Sequence, residues 1–195
     1  MSSIPADRRQ RRAVGRDSRD VSRETAGSAL TDEQQETWFA YMRVVLRLRY
    51  EMNRQLQTDS GLSLSDYDVL NALADSPGAR LQLTDLATRI AWERSRLSHH
   101  LTRMSARGLV ERAPSASDRR ATDAVLTDAG LAALRAATPG HAALVRRMFF
   151  DGLPPAALPG LRAALDAVHE QVLASGTLPR PGQRQRRLPG LQTDG

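Results

Sequence analysis

Trp38, Tyr41, Val45, Leu48 and Met52 recur at alternating steps of three and four, the spacing of one face of an α-helix. Thr31 followed by Gln34 has the form of a capping box, so a helix is predicted over about 31–58, with Gly61 stopping it. "SDYD" gives a second start, with Ser65 as cap and Asp68 three residues on. Val69, Leu70 and Leu73 supply the buried face of a short helix that "DSPG" (75–78) ends. Thr84 is placed to cap a third helix with Leu86, Ala87 and Ile90 inside. After a break at Ala91–Trp92, Leu97, Leu101 and Met104 stand at i, i+4 and i+7. They form the stripe of a helix that Gly108 closes in a left-handed C′ conformation.

Beyond Gly108 the period changes. "LVERA" (109–113) and "TDAVLT" (122–127) read as two short strands around a polar loop that carries Arg119 and Arg120. Thr127 caps a helix over about 128–150, with Leu131, Leu134, Leu144, Val145 and Met148 as apolar positions. Pro139–Gly140 predict a kink or short break in it. A last helix is predicted over about 155–174. Residues 1–28 and 176–195 have no apolar period and read as a disordered basic arm and tail, either solvated or touching DNA phosphates. The fold expected for 29–175 is mainly α with a small β-hairpin wing. Two short helices, a tight turn and a hairpin with a basic tip make a winged helix-turn-helix, whose second helix enters the major groove by its first turns.

Composition narrows the function classes. A hydrophobic fraction of 41% suits a soluble globular domain, and no apolar run approaches the ~18 residues of a membrane span. No apolar h-region opens the chain, so no secretory leader is expected. There are no cysteines, which excludes disulfides, thiolate metal sites and thiol redox switches and fits a reducing cytoplasm. All 28 basic residues are arginine, the better fork for phosphate and guanine. The two ends each carry a net +3, and the rest of the chain is neutral. Within that neutral part, Arg89–Arg120 holds eight arginines against three acids, a local +5 of the kind that faces a polyanion.

"ERSRLSHHLTRMSARGLVER" (93–112) concentrates the candidate chemistry. With Leu97, Leu101 and Met104 inward, Arg94, Ser95, Arg96, Ser98 and His99 are the major-groove candidates, and Arg103 is a backbone contact. His99 and His100 are adjacent and point about 100° apart, so they are not an i, i+4 metal pair. One is expected to face DNA and the other to pack against the wing. His141 and His169 read as surface or interface residues. No G-x-S-x-G elbow or triad accompanies the serines, so neither catalysis nor a metal or other cofactor is expected. Trp38, Tyr41 and Tyr67 are candidate effector-pocket residues, though aromatics at helical spacing are more often simple core.

"LTDLATRIAWERSRLSHHLTRMSARGLVERAPSASDRRATDAVLTDAG" (83–130) resembles the core of the MarR (multiple antibiotic resistance regulator) family. The matching features are "LA" at 86–87, "RGLVER" at 107–112, "DRR" at 118–120 and "LTDAG" at 126–130, with a looser similarity over 31–174. The resemblance implies a homodimeric, ligand-responsive regulator of transcription. Its DNA-binding part lies over about 62–127, and its dimerisation helices over about 31–58 and 128–174. It further implies that Arg120 enters the minor groove beside Arg119 and that Asp118 orients the neighbouring arginines. Trp92 and Glu93 depart from the usual pattern, which has a small aliphatic and a Ser or Thr cap there. The partners implied are double-stranded DNA, a second copy of the chain and a small anionic or aromatic effector. The expected activity is ligand-responsive repression from a pseudo-palindromic operator. Its rivals are a winged-helix protein-interaction module, a constitutive DNA-binding protein without an effector, and an enzyme, which the missing catalytic constellation disfavours.

Overall fold

Thr31 and Gln34 close the predicted capping box at the head of the first helix, α1 (Asp32–Ser60): Gln34 N–H donates to Thr31 Oγ1 at 3.2 Å and Thr31 N–H to Gln34 Oε1 at 2.9 Å. The computed structural model describes residues 29–115, 118 and 120–181, so the basic arm and most of the basic tail lie outside the described residues. The apolar stripe of α1 is half-buried from Val45 through Leu48 to Met52, and only Leu56, toward its end, is fully buried. Gly61, at φ +66°, terminates the helix as expected.

The second helix, α2 (Leu64–Ala74), begins two residues earlier than predicted. Ser63, not Ser65, is the cap. Its Oγ accepts from Asp66 N–H (3.0 Å), and Asp66 Oδ2 accepts from Ser63 N–H (2.9 Å). Both serines have an acid three residues on, so the local pattern is degenerate. The earlier register is the one that turns the Asp66 carboxylate inward, where distant partners meet it.

A 3-10 turn (Pro77–Ala79) leads into a strand that the pattern did not reveal, β1 (Arg80–Gln82), followed directly by α3 (Leu83–Arg89). Thr84 is therefore not a cap. Gln82 is, in extended conformation and without a side-chain capping bond, because β pairing has already fixed its backbone. Arg89, at the end of α3, pairs with Asp75 at the end of α2. Ala91, at φ +53°, makes the tight turn into α4 (Arg94–Ala106). Gly108, at φ +71°, closes α4 as predicted.

The hairpin is β2 (Val110–Pro114) with β3 (Thr122–Leu126), in register Val110↔Leu126 through Pro114↔Thr122. With β1 on the other side of β3, the antiparallel sheet has the order β1-β3-β2. The long helix α5 (Asp128–Val145) starts at Thr127, whose Oγ1 accepts from Gly130 N–H (3.0 Å) and donates to the Gly108 carbonyl (2.7 Å). It runs unbroken through Pro139, which is exposed, as is Arg135, whose carbonyl loses its helical donor there. The irregularity falls later, as a π turn at Arg146–Phe150. After a 3-10 turn (Pro155–Ala157) comes α6 (Leu158–Ser175).

The core joins α2, α3, α4, the sheet and the start of α5. Leu70, Leu73, Leu86, Leu97, Leu101 and Met104 are wholly inaccessible. Each such side chain contributes about 1.5–3 kcal/mol by leaving water. The predicted stripe of α4 therefore fixes which of its residues face out.

Candidate nucleic-acid interface

With Leu97, Leu101 and Met104 inward, α4 presents Arg94, Ser95, Arg96, His99 and Arg103 to solvent, with Ser98 half-buried. Glu93 is the N-cap residue, but its side chain makes no capping bond. The first turn of α4 thus offers a positive dipole end and two arginines. Arg96 does not hang free: its guanidinium carbon lies 4.1 Å from the centroid of the Trp92 ring.

His100 departs from the expected contact with the wing. It is buried, and its ring meets Trp92 edge-on (centroids 5.3 Å apart, 80° between planes). Its Nε2 stands 3.0 Å from Asp66 Oδ1, an ion-pair distance with the N–H aimed off the oxygen. Its Nδ1 is 3.1 Å from Arg103 Nη2. Arginine only donates, so Nδ1 accepts and the ring proton sits on Nε2. Arg107, at the end of α4, donates to Asp66 Oδ2 and to the Gly61 carbonyl, both at 2.8 Å. Asp66 is thereby the point at which α4 is tied to α2. Burial alone would raise its carboxyl. The His100 imidazole, the Ser63 backbone N–H, Arg107 and the Ser63 side chain outweigh that and hold it well below the usual carboxylate range. Asp66, Arg107 and the roles of Trp92 and His100 were not read from the sequence. The signal available was the Ser63–Asp66 spacing and an aromatic just ahead of a helix.

At the tip of the hairpin, Asp118 Oδ1 accepts the backbone N–H of Arg120 (2.9 Å), and Ala121 N–H donates to the Asp118 carbonyl (2.9 Å). This Asx-type turn sets the backbone from which the exposed Arg120 projects. Arg119 lies outside the described residues. Near the loop end of the hairpin, Arg80 of β1 pairs with Asp123 of β3 at 3.0 Å, holding the third strand in place.

Trp38 and Tyr41 are both half exposed, with ring centroids 5.5 Å apart. Tyr67 is instead core: its hydroxyl is 3.4 Å from Thr138 Oγ1, and its ring centroid is 4.5 Å from that of His141. His141 is buried rather than a surface residue, and burial pushes its imidazole below the ordinary range. His141 Nδ1, Gln55 Oε1 and Asn71 Oδ1 are buried without a hydrogen-bond partner among the described residues. Among the described residues, no group of His, Asp and Glu is arranged to hold a metal ion, and no helix is long and apolar enough to cross a membrane.

The family model described as MarR family matches residues 60–121, which span α2 to the wing. Two solved structures from Streptomyces coelicolor are similar over most of the chain. AbsC, a MarR family transcriptional regulator, is 41% identical, covering 74% of this chain and 97% of its own, with a TM-score of 0.69. Sco3205, of the same family and solved in complex with DNA, is 39% identical, covering 77% and 95%, with a TM-score of 0.72. CouR from Rhodococcus jostii RHA1, solved bound to p-coumaroyl-CoA, is 25% identical, covering 72% and 94%, with a TM-score of 0.60. No curated protein matches the sequence.

Proposed function

The chain belongs to the MarR family of transcriptional regulators, and from that premise we propose that it is a ligand-responsive repressor that binds a pseudo-palindromic operator as a homodimer. The observation that carries this reading is the solvent face of α4. Arg94, Ser95, Arg96, Ser98 and His99 read base edges in the major groove, and Arg103 holds a phosphate. Arg120, on a turn shaped by Asp118, enters the adjacent minor groove, with Arg119 beside it. The complex of Sco3205 with DNA supports the same use of the fold.

A second copy is the partner proposed for the exposed apolar positions. On α6 these are Leu158, Leu165, Val168 and Val172, at i, i+7, i+10 and i+14. Early in α1 they include Trp38, Phe39 and Val44. Two-fold symmetry then places the half-sites about one turn (~34–36 Å) apart. The effector proposed is a small anionic or aromatic molecule. The unpartnered His141 Nδ1, on a ring packed against Tyr67, supports a hydrogen-bonding ligand there, as does the acyl-CoA bound by CouR. A ligand that binds one spacing of the two α4 helices better than the other shifts the dimer toward it.

The test is enrichment of random-sequence and genomic duplexes by the purified protein, then titration at rising salt. A two-fold-symmetric consensus and a steep loss of affinity between 50 and 200 mM salt (a window chosen for counterion release) are expected. Failure to retain any duplex at low salt overturns the reading.

A further inference from the structure

The geometry points to Trp92 as a specificity-determining positioning residue: its ring fixes Arg96 in place before DNA arrives. This rests on the groove-reading role proposed for α4. Trp92 immediately precedes the N-cap Glu93, and Arg96 is the third residue of the helix. The guanidinium carbon of Arg96 sits 4.1 Å from the ring centroid, within cation–π distance. The indole is itself immobilised. It is 9% exposed, its backbone N–H donates to the Ala87 carbonyl (2.9 Å), and its ring packs edge-on with His100. His100 in turn stands against Asp66, which Arg107 and the Ser63 cap hold from two other directions. A series of contacts thus runs from α2 through a buried imidazole and indole to one exposed arginine.

Arginine carries large rotamer freedom, and ordering it on binding opposes affinity. An arginine already stacked against a fixed ring loses less of that freedom when it engages a base. The benefit appears only where Arg96 makes an oriented hydrogen-bonded contact. At a phosphate, which a guanidinium reaches from many directions, the stack matters little. Trp92 therefore separates the preferred sequence from random duplex without touching DNA. Neither Arg94 nor Arg120 has a ring contact of this kind among the described residues.

The experiment compares consensus sequences enriched from a random duplex library by wild type, Arg96→Ala, Trp92→Leu and Trp92→Phe. Trp92→Leu is expected to blur the same base position that Arg96→Ala blurs. It should lower affinity for the wild-type consensus about 3- to 10-fold relative to random duplex. Trp92→Phe, which keeps an aromatic face, should recover part of the preference. In the Arg96→Ala background, Trp92→Leu should cost nothing further.

Full retention of the preference by Trp92→Leu overturns the proposal, as does an added loss in the Arg96→Ala background. Should Trp92→Leu fail to fold, the free wild-type protein still decides. Its Arg96 side-chain protons must show the upfield ring-current shift of a group over an indole, and unshifted resonances overturn the proposal. A wild-type protein that enriches no sequence contradicts the groove-reading role itself, which is a separate result.

Discussion

Asp66 shows how one buried carboxylate sets the pH response of a local junction. Its folded-state affinity for protons is depressed, so its stabilisation is present above the ordinary carboxylate value near 4 and is lost as pH falls below it. Asp66→Asn is expected to destabilise the fold by about 2–4 kcal/mol at neutral pH, since it leaves Arg107 and His100 without their buried anion. Denaturant midpoints measured from pH 7 downward should show the gap to wild type closing below about pH 4. His141 runs the other way: burial keeps it neutral, so below about pH 6.5 the unfolded chain takes up a proton that the folded one refuses. Wild type should lose stability from pH 7 to 5, by up to about 1.4 kcal/mol per pH unit, and His141→Gln should flatten that slope. At the wing, Arg120→Ala should weaken binding to the preferred and random duplexes alike, because the groove contact proposed for it is electrostatic. Unchanged affinity for both in fluorescence titration would remove Arg120 from the interface.

The junction between hairpin and α5 rests on Thr127 and Gly130. Thr127 serves four bonds: it caps Gly130 N–H, donates to the Gly108 carbonyl, accepts Leu131 N–H at its own carbonyl (2.9 Å), and offers its N–H to the Leu109 carbonyl at 3.4 Å. Gly130 is needed for space rather than for backbone freedom, since a Cβ there would stand 2.0 Å from the Leu109 carbonyl oxygen. The neighbour is backbone and cannot swing aside. Gly130→Ala gains at most about 1 kcal/mol of helix propensity. Displacing the start of β2 from α5 costs about 1–3 kcal/mol. We expect a net loss of stability by thermal unfolding, and a gain would show that the junction has room to relax. The cap at Thr127 and the close approach at Gly130 make "LTDAG" one structural unit.

For the molecule as a whole, neutrality outside the basic ends hides a sharply local +5 over Arg89–Arg120. Positive charge concentrated in the stretch that carries α4 and the wing suits recognition of a polyanion without making the whole surface adhesive. The apolar stripe of α6 is the other large-scale feature, with Val168 62% exposed. If the proposed dimer forms through this stripe, Val168→Glu should leave the protein monomeric in sedimentation at micromolar concentration, where wild type is dimeric, with helical content unchanged. Affinity for the two-fold-symmetric duplex should fall at least 10-fold as the second half-site is lost. A variant that remains dimeric would place the subunit interface elsewhere.

The elements that could be read from residues alone are those held together within a few positions of each other. The Thr31–Gln34 box, the Thr127 cap, the left-handed closures at Gly61 and Gly108 and the inward stripe of α4 all depend on contacts one or two turns long. The exposed arginines of α4 follow directly from that stripe. Contacts between distant segments decided the rest. Three residues of β1 have too little period to signal a strand, and only β3, some forty positions on, makes them one. Ser63 and Ser65 are equivalent caps until Arg107 and His100, from another helix, meet Asp66. The burial of His141 beneath Tyr67 likewise arises only when α2 and α5 pack. Local periodicity and capping are nearest-neighbour energies that any stretch of chain carries with it. The register of a cap, the existence of a short strand and the burial of a polar ring are settled by partners that folding alone brings within reach.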